Sequence, residues 1–252
     1  MSRVFRPDGK VLIVAMDHGT NSGAPKGLEF PAQTISKIKK GGADAVIANY
    51  GLVKTFAEEL SGLGVILRLD IPPTMLGKGH DSALVYGVEE ALRLGADAVI
   101  ANAGPGVGVE ERTLPQLAAC ASLCDQWGMP LVGEMVPGGF DSDPGIRTLE
   151  NIKLGARIAS ELGADFIKTV FQPGFREVVE ASYVPVVVLG GSKTNDDGAF
   201  LTSIREAIDS GAAGVAIGRN VWGHENPEGM TRALVSIIHE NASVEEALAY
   251  LG

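Results

Sequence analysis

Short apolar runs recur along the chain, and several follow a turn of one repeated type. In this turn a glycine and a small residue stand just before the apolar run, as in Gly42-Ala43-Asp44, Gly95-Ala96-Asp97, Gly163-Ala164-Asp165 and Gly211-Ala212-Ala213. A glycine in the left-handed conformation commonly ends a helix, and a β-branched apolar run favours a strand. Because the runs do not alternate with polar residues, we expect both faces of each strand to be covered, as in a parallel sheet flanked by helices.

About eight runs are predicted to be strands. They are Val11–Met16, Ala45–Ala48, Val65–Leu69, Ala98–Ala101, Leu131–Met135, Phe166–Thr169, Val186–Leu189 and Gly214–Ile217. Helical patterns lie between them at Thr34–Lys40, Ser82–Leu94, Leu114–Trp127, Leu149–Leu162, Phe175–Ala181, Phe200–Asp209 and Met230–His239, with a partial helix at Leu52–Leu60 and a last helix at Ser243–Leu251. This alternation predicts the α/β class and a single (β/α)8 TIM barrel that forms one domain over residues 1–252.

An open doubly wound sheet is the alternative architecture. Such a sheet would carry a glycine-rich loop for a dinucleotide, and the chain offers one such loop, Gly104-Pro105-Gly106-Val107-Gly108. A single loop with a proline inside it only weakly indicates a dinucleotide site. The barrel is therefore the preferred prediction.

Charge and targeting signals narrow the class of partner. The 252 residues include 21 basic and 31 acidic side chains, a net charge of −10, which argues against nucleic acid or an anionic membrane as the main partner. An anionic substrate would need a local positive site. No apolar run reaches membrane-spanning length, and the first residues lack the apolar core of a signal peptide. We expect a cytoplasmic protein.

Cysteine and histidine patterns do not indicate a metal site. Cys120 and Cys124 lie four residues apart in a predicted helix and are expected to be buried core thiols. No spacing among the four histidines suggests metal ligands. Lys54, Lys78 and His80 lie in loops near the predicted site, where solvated positions are the default expectation.

Polar side chains stand at the carboxyl ends of several predicted strands, where barrel enzymes place their catalytic groups. They are Asp17 and His18 after the first strand, Asp70 after the third, Asn102 after the fourth, Glu134 in the fifth and Lys168 in the sixth. Each alone is also explained by loop or helix capping. Their convergence on one rim of the barrel favours a functional site.

Lys168 is the strongest candidate nucleophile. It ends the buried run Phe166-Ile167-Lys168-Thr169, and burial disfavours the charged ammonium relative to the neutral amine. A neutral amine condenses with a ketone or aldehyde, and the resulting iminium withdraws electrons from the neighbouring carbon–carbon bond. A purely structural pairing of Lys168 with Asp17 or Glu134 is the alternative.

Two glycine turns predict a phosphate site. Gly190-Gly191 follows the seventh predicted strand and Gly218-Arg219 follows the eighth. Glycine lets backbone N–H groups approach an anion, and the guanidinium of Arg219 adds a fixed cationic fork. Ordinary turns are the alternative, but the loops after the last two strands are where barrels commonly bind phosphate.

The motifs together resemble the archaeal-type class I fructose-bisphosphate aldolase family, which includes the aminodideoxyheptulosonate synthases and the autoinducer-2 phosphate thiolase. The resemblance rests on Met16-Asp17-His18-Gly19, Ile167-Lys168-Thr169, Gly190-Gly191-Ser192-Lys193-Thr194 and Gly218-Arg219-Asn220-Val221-Trp222. It implies a (β/α)8 barrel, a Schiff-base lysine at Lys168, an active-site aspartate at Asp17 and no metal or other cofactor. It also implies phosphate binding by Gly190, Gly191, Ser192, Gly218 and Arg219, and ring-shaped homo-oligomers, often decamers.

The chain departs from this family at one position. The aldolases and heptulosonate synthases carry a proton-handling tyrosine after the fifth strand, and Val136 occupies that place here. Either Glu134, Asp17, His18 or a bound water performs the acid–base step, or the reaction differs. The thiolase branch also lacks the tyrosine, whereas the segment Ser22–Leu28 resembles the heptulosonate synthases.

The resulting hypothesis is a Schiff-base aldolase that cleaves or forms a carbon–carbon bond in a phosphorylated sugar or phospho-ketone. Asp70 and Asn102 are expected to bind substrate together with the phosphate loops, and Glu134 and His18 to join Asp17 in catalysis. Two alternatives remain open on the same scaffold: thiolase-like acyl transfer from a phospho-diketone to coenzyme A, and a non-catalytic phosphosugar-binding barrel.

Overall fold

The computed structural model of the protein describes residues 1–77, 82–140 and 142–252. Within these ranges, eight parallel strands close into a barrel in which each strand pairs with its neighbours in chain order. The strands are β1 Val11–Ala15, β2 Ala45–Ala48, β3 Gly64–Arg68, β4 Ala98–Ala103, β5 Leu131–Met135, β6 Phe166–Thr169, β7 Val186–Leu189 and β8 Gly214–Ile217. Val11 lies opposite Gly214 where β1 closes against β8. The predicted TIM barrel is confirmed.

Helices connect the strands and surround the barrel. They are α1 Gly19–Ser22, α2 Pro31–Gly41, α3 Tyr50–Thr55, α4 Ala57–Leu60, α5 Val88–Arg93, α6 Glu110–Trp127, α7 Leu149–Glu161, α8 Arg176–Ala181, α9 Asp197–Asp209, α10 Arg219–Trp222, α11 Pro227–His239 and α12 Val244–Leu248. A 3-10 turn spans Pro144–Ile146. The short helices α1 and α10 were not predicted, and the partial helix predicted at Leu52–Leu60 is two helices that meet at Phe56.

The helix predicted at Ser82–Leu94 was wrong in its first half. Ala83–Leu84 instead pairs antiparallel with Asp70–Ile71, and the backbone N–H groups of Val85 and Tyr86 both donate to the carbonyl of Leu69. These tertiary hydrogen bonds hold the segment extended, so the helix begins only at Val88. Lys78 and His80, which the sequence placed near the site, lie outside the described residues.

The repeated turns before the strands have a specific structural role. Gly42, Gly95 and Gly163 all adopt positive φ angles, of 92°, 70° and 92°, which L side chains rarely adopt. The aspartate two residues after each glycine accepts a hydrogen bond from a backbone N–H at the start of the preceding strand: Asp44 from Leu12, Asp97 from Val65 and Asp165 from Leu131. The sequence repeat therefore stops each helix and ties adjacent strands together.

The amino-terminal end of the barrel is closed by the first residues of the chain. Val4 is buried in an apolar cluster with residues at the starts of the strands. Phe5 packs edge-to-face against Phe166, with ring centroids 5.0 Å apart. Because this end is filled, access to the barrel interior is from the carboxyl end of the strands.

Two further expectations concern helices. No helix within the described ranges is long and apolar enough to cross a membrane. Cys120 and Cys124 lie on α6 as buried free thiols, as predicted. Burial raises the pKa of Cys120 to about 11 and that of Cys124 to about 12, so both stay protonated at neutral pH and serve packing.

Candidate active site

A cavity of about 420 Å³ opens at the carboxyl end of the barrel. Nine residues singled out in the sequence line it: Asp17, His18, Glu134, Lys168, Gly190, Gly191, Ser192, Gly218 and Arg219. The fold thus brings together side chains from five strand ends that are far apart in sequence. Asp70 and Asn102, which were expected to bind substrate, are not among the lining residues.

Lys168 lies at the base of the cavity. Along β6, Ile167 packs in the cluster shared with the outer helices, whereas Phe166 packs inside the barrel. The two-residue period of a strand therefore turns Lys168 inward as well. Its side chain is 7% exposed, and Nζ lies 2.5 Å from Oε1 of Glu134, the residue opposite it on β5.

Arg68 is the buried cation at the centre of the polar residues, and sequence reasoning missed it. It belongs to β3 and is 4% exposed. Its Nε donates to Oδ2 of Asp17 at 2.6 Å, Nη1 to Oδ1 of Asp70 at 3.1 Å and Nη2 to Oε2 of Glu134 at 2.5 Å. The signal that could have indicated it is a charged residue inside the apolar run Val65-Ile66-Leu67-Arg68-Leu69.

Asp70 and Asn102 contact protein groups behind the cavity. Oδ1 of Asp70 accepts from the backbone N–H of Asn102 at 3.1 Å as well as from Arg68. The side-chain amide of Asn102 donates to the backbone carbonyl of Glu134 at 3.1 Å. Since both residues are buried and hold Arg68 and β5, they support the site without forming its surface.

The cations of the site keep its two lining carboxylates ionised. Burial raises the pKa of Asp17, but the nearby charges of Arg68 and Lys168 and the hydrogen bond from Arg68 outweigh burial and lower it to about 2. Burial likewise raises the pKa of Glu134, and Arg68 and Lys168 outweigh it, so that this pKa also falls below its usual value. Both groups are proton acceptors at neutral pH.

His18 stands beside Asp17 as a neutral imidazole. Burial lowers its pKa, and the charges of Lys168, Arg219 and Arg68 add to this effect, while Asp17 only partly opposes it. The ring packs edge-to-face on Trp222 with centroids 5.2 Å apart. Its buried Nδ1 lies 3.6 Å from Oδ1 of Asp17, too far for a hydrogen bond, and has no other partner among the described residues.

Gly218 is required for this placement of His18. A Cβ atom at this glycine would lie 2.7 Å from Cε1 of His18 and 2.8 Å from the carbonyl oxygen of Ala15. Contacts this short do not occur between real side chains, so any larger residue would displace the imidazole. The glycine turn at Gly218-Arg219 therefore also determines where the imidazole of His18 lies.

The two glycine loops form one wall of the cavity. Gly191 has a φ of 61°, and Nη2 of Arg219 donates to its carbonyl at 2.9 Å. Asn220, whose role was not predicted, donates from Nδ2 to the carbonyls of Gly190 and Ser192 at 3.0 and 3.1 Å. These bonds fix the loop through its carbonyls, and two of its N–H groups are also engaged: that of Gly190 donates to the carbonyl of Ala216 at 3.3 Å and that of Thr194 to Oδ1 of Asn220 at 2.9 Å.

Another part of the cavity lining is mainly apolar and contains one guanidinium. Val136, Phe140 and Val170 line it, together with Arg147. Arg147 donates from Nη2 to the carbonyls of Gly139 and Phe140, at 3.3 and 2.6 Å, while its buried Nε has no hydrogen-bond partner among the described residues. Among the residues described, no tyrosine lines the cavity, so no phenol from another element takes the place of the tyrosine that Val136 replaces.

The acidic residues of the site do not form a metal centre with histidine or cysteine. Within the described parts of the chain, no group of three or more His, Cys, Asp or Glu side chains has the arrangement needed to hold a metal ion. The carboxylates of Asp17, Asp70 and Glu134 contact Arg68 instead. The chemistry available is that of an amine, two ionised carboxylates, a neutral imidazole and two glycine loops beside the guanidinium of Arg219.

Comparison with known proteins agrees with this arrangement. Residues 11–224 match the family described as DeoC/LacD family aldolase. The chain is 35% identical over 254 residues to 2-amino-3,7-dideoxy-D-threo-hept-6-ulosonate synthase 1 of Archaeoglobus fulgidus, an alignment that covers 100% of this chain and 94% of the relative.

Two solved structures are similar in both fold and sequence. An archaeal fructose 1,6-bisphosphate aldolase superposes with a TM-score of 0.87 at 31% identity, covering 95% of this chain and 97% of the other. A second archaeal fructose-1,6-bisphosphate aldolase, with its catalytic lysine covalently bound to the carbinolamine intermediate, superposes with a TM-score of 0.85 at 31% identity and covers 94% and 97%. The chain belongs to the DeoC/LacD aldolase family and is a lyase of the aldolase type.

Proposed function

We propose that the protein is a class I aldolase that uses Lys168 to form a Schiff base with a phosphorylated sugar or phospho-ketone and cleaves or forms a carbon–carbon bond. The observation that carries the proposal is the position of Nζ in the cavity, at 2.5 Å from Glu134 and in the same cavity as both glycine loops. The similar aldolase with a carbinolamine on its lysine supports the chemistry.

The glycine loops would bind the phosphate group. Gly190, Gly191 and Gly218 leave room for an anion beside the backbone, although the N–H of Gly190 itself donates to the carbonyl of Ala216 at 3.3 Å, and Arg219 supplies a positive charge at the cavity lining. With the phosphate fixed there, the carbon chain of the substrate would reach Lys168 within the same cavity. Anchoring the charged end limits which carbonyl carbon meets the amine.

Glu134 would manage the protons of imine formation. Nζ attacks the substrate carbonyl carbon as a neutral amine, and the proton that Lys168 must lose is accepted by the Oε1 oxygen already in contact with it. A proton then passes from nitrogen to the former carbonyl oxygen to give the neutral carbinolamine, which loses water to give the iminium as Glu134 returns its proton to the departing hydroxyl. No additional acid is needed for these steps.

Asp17 would act in the carbon–carbon cleavage. Its carboxylate removes the proton from the substrate hydroxyl, the bonding electrons pass to the iminium, and an enamine and a free aldehyde result. Protonation of the enamine and hydrolysis of the imine release the second product and Lys168. Asp17 fits this role because it lines the cavity, and because its pKa of about 2 keeps it ionised; His18 beside it can pass the proton onward.

A panel of phosphorylated ketoses with one or two phosphates tests the proposal. Wild-type protein is incubated with each ketone and borohydride, and the peptide that contains Lys168 is analysed by mass spectrometry. We expect a reduced adduct on Lys168 and turnover of at least one ketose. Lys168→Met should abolish both, with a loss of turnover on the order of 10⁴-fold or more.

A matched control keeps this test specific. Lys37→Met removes an exposed lysine of α2 and should retain adduct formation and turnover. Lys168→Met should still bind inorganic phosphate, because the glycine loops remain. Full turnover by Lys168→Met, or an adduct on another lysine only, would refute the mechanism.

A second candidate reaction is acyl transfer from a phospho-diketone to coenzyme A. Val136 favours it, since this apolar side chain lines the cavity and cannot transfer a proton during aldol cleavage. The same panel, repeated with coenzyme A, separates the two reactions. Thioester formed with a phospho-diketone, combined with no cleavage of any ketose, would select the acyl transfer.

We also propose that the protein forms a homo-oligomer, as its family resemblance implies. The side chains of Leu76 and Val107 are 93% and 96% exposed, and large exposed apolar side chains are typical of contact surfaces when they form a patch. Light scattering coupled to size-exclusion chromatography measures the mass directly. A single monomeric peak near 26.2 kDa at all concentrations would contradict this proposal.

A further inference from the structure

We propose that Arg68 is the positioning residue that makes Lys168 reactive. It holds one oxygen of each lining carboxylate, so that the other oxygen faces a reacting group, and its charge offsets theirs around the amine. This inference rests on the proposed role of Lys168 as nucleophile, although the test below does not require the substrate to be known.

In each lining carboxylate, one oxygen accepts a hydrogen bond from Arg68 and the other oxygen is directed towards Lys168 or His18. Oε2 of Glu134 accepts from Nη2 of Arg68, and Oε1 contacts Nζ of Lys168. Oδ2 of Asp17 accepts from Nε of Arg68, and Oδ1 is directed towards His18, 3.6 Å from its Nδ1. The guanidinium therefore sets the direction of both candidate proton acceptors with a single planar group.

Asp70 holds the guanidinium itself. Its Oδ1 accepts from Nη1 of Arg68, and the same oxygen is fixed by the backbone N–H of Asn102. Oδ2 of Asp70 is buried without a hydrogen-bond partner among the described residues. Asp70 thus contributes a negative charge and one anchor, which explains why a third carboxylate lies behind a site that only two of them line.

The charge of Arg68 matters to Lys168 as much as its geometry. The charged groups that face the amine are Glu134 and Asp17, with Asp70 behind them, and Arg68 is the cation bonded to all three. Arg219 and the neutral His18 lie further along the cavity wall. Without Arg68, the negative charges around Lys168 would be largely uncompensated and would hold its side-chain nitrogen more strongly, so that it reacts more slowly with an electrophile.

A lysine substituted for Arg68 could not reproduce the arrangement. A guanidinium presents its donors in a rigid plane and contacts three carboxylates at once, whereas an ammonium is a point charge on a flexible stem. The Arg68→Lys variant would keep the charge but would lose the simultaneous orientation of Glu134 and Asp17. Charge and orientation can therefore be measured separately.

Competitive labelling with a trace of acetic anhydride measures the nucleophilicity of Lys168 directly, without any substrate. Labelling of Lys168 is quantified by peptide mass spectrometry at fixed pH and normalised to the exposed Lys37. In Arg68→Met we expect Lys168 labelling to fall about tenfold, and in Arg68→Lys to fall about threefold or less, because the charge is retained. Asp70→Asn should raise it about threefold, because it removes a negative charge from a cluster that keeps Arg68.

The opposite signs separate this role from a purely structural one. A residue that only supported the fold would, when removed, loosen the site and expose Lys168, so that Arg68→Met and Asp70→Asn would both raise labelling. If Arg68→Met does not fold by circular dichroism, Arg68→Lys and Asp70→Asn still decide the question. With any ketose that the wild type cleaves, Arg68→Lys should lower kcat about 100-fold while KM stays within about twofold, since orientation of the acid–base groups affects the chemical step.

The same experiment keeps the two proposals apart. If the wild type forms no borohydride adduct with any phospho-ketone, the proposed function fails while the labelling ratios still report on Arg68. Equal or faster labelling of Lys168 in folded Arg68→Met, or slower labelling in Asp70→Asn, would overturn the inference about Arg68.

Discussion

The two ends of the barrel each contain a cluster of ionic side chains, and the clusters differ in how completely they are paired. At the amino-terminal end, Asp44 contacts Nε of Arg6 through one oxygen and accepts from the backbone N–H of Leu12 and from His239 through the other, at 2.7 and 2.9 Å. The second ring nitrogen of His239 contacts Asp8 at 2.7 Å. Every side-chain nitrogen and oxygen of Asp44 and His239 has a partner.

At the carboxyl end, the pairing is incomplete and the cluster opens to a cavity. Nδ1 of His18 and Oδ2 of Asp70 are buried without hydrogen bonds within the described residues, and Lys168 is held by one carboxylate oxygen. Buried polar groups without partners reduce stability. Such a cost is commonly tolerated where substrate groups will supply the missing partners.

The comparison shows that clusters of the same residue types, carboxylates with arginine and histidine, can either stabilise the fold or form a site for a ligand. The closed cluster joins the first ten residues, the first αβ turn and the end of α11, so it stabilises the fold. The open cluster presents a nucleophile and two ionised carboxylates to a ligand. Substitutions at one end should therefore affect stability with little effect on chemistry, and at the other end the reverse.

After Lys168→Met, the largest effect is expected from Glu134→Gln at the carboxyl end. The amide is nearly isosteric but cannot accept the proton of Lys168, so kcat should fall on the order of 10²–10⁴-fold. Steady-state kinetics and phosphate binding measured on the same sample test this. Glu58→Gln on exposed α4 is the control, and a Glu134→Gln protein with wild-type kcat would remove Glu134 from the mechanism.

The second effect, in stability, is expected from Asp44→Asn at the amino-terminal end. It leaves the partly buried Arg6 and His239 without their shared anion, and breaking a buried pair costs about 3–5 kcal/mol, with the lower end expected because Arg6 is partly exposed. Denaturant unfolding measures the free energy. Activity per folded molecule should stay at the wild-type level, and a selective loss of kcat would contradict the separation of the two ends.

A smaller effect is expected from Arg219→Gln beside the two glycine loops. Removal of one charge-assisted contact to a phosphate should weaken binding about 10–100-fold, since such bonds contribute about 1.5–3 kcal/mol. KM for a phosphorylated ketose should rise much more than kcat falls. Arg157→Gln, on the outside of α7, should change neither constant; a fall in kcat alone would place Arg219 in the chemical step instead.

The smallest effect is a pH dependence of stability from His239. Burial lowers its pKa, but hydrogen bonds to Asp44 and Asp8 outweigh burial, so that the folded-state pKa lies above the usual 6.5. A raised pKa stabilises the fold fully below 6.5 and loses this contribution as the pH rises through the folded-state value. The urea midpoint of the wild type should decline in that range relative to His239→Gln; parallel curves would mean that His239 does not stabilise the fold by its charge.

Much of the fold follows from local patterns in the sequence. The ends of the eight barrel strands were predicted to within two residues. A short apolar run after a helix-ending glycine is typical of a buried strand, so its limits can be identified from the sequence. Helix starts were less accurate. The helices α2, α6, α9 and α11 begin three or four residues before the predicted starts. The first turn of each is mainly polar, so the spacing of apolar residues, on which the prediction rested, does not mark where the helix begins.

The site residues were predicted by their position at strand ends, but their contacts were not. Arg68 was missed because its role depends on contacts with Asp17 and Glu134, which belong to distant strand ends, as well as with the nearby Asp70, and no local pattern encodes that convergence. Asp70 and Asn102 were recognised as unusual polar residues yet assigned to the cavity surface. Whether a polar side chain at a strand end reaches a ligand or a neighbouring strand depends on the register and closure of the barrel.

The sequence by itself determined the alternation of strands and helices, the glycine turns and the set of polar strand ends, because each of these depends on backbone preferences and burial within a few residues. Only the tertiary structure decided which of those ends share a cavity and which pair with one another. Closure of the barrel sets the distances from Arg68 to Asp17 and Glu134, which lie 51 and 66 positions away along the chain. The same closure made Lys168 the partner of Glu134, and Arg68 the partner of both carboxylates that line the cavity.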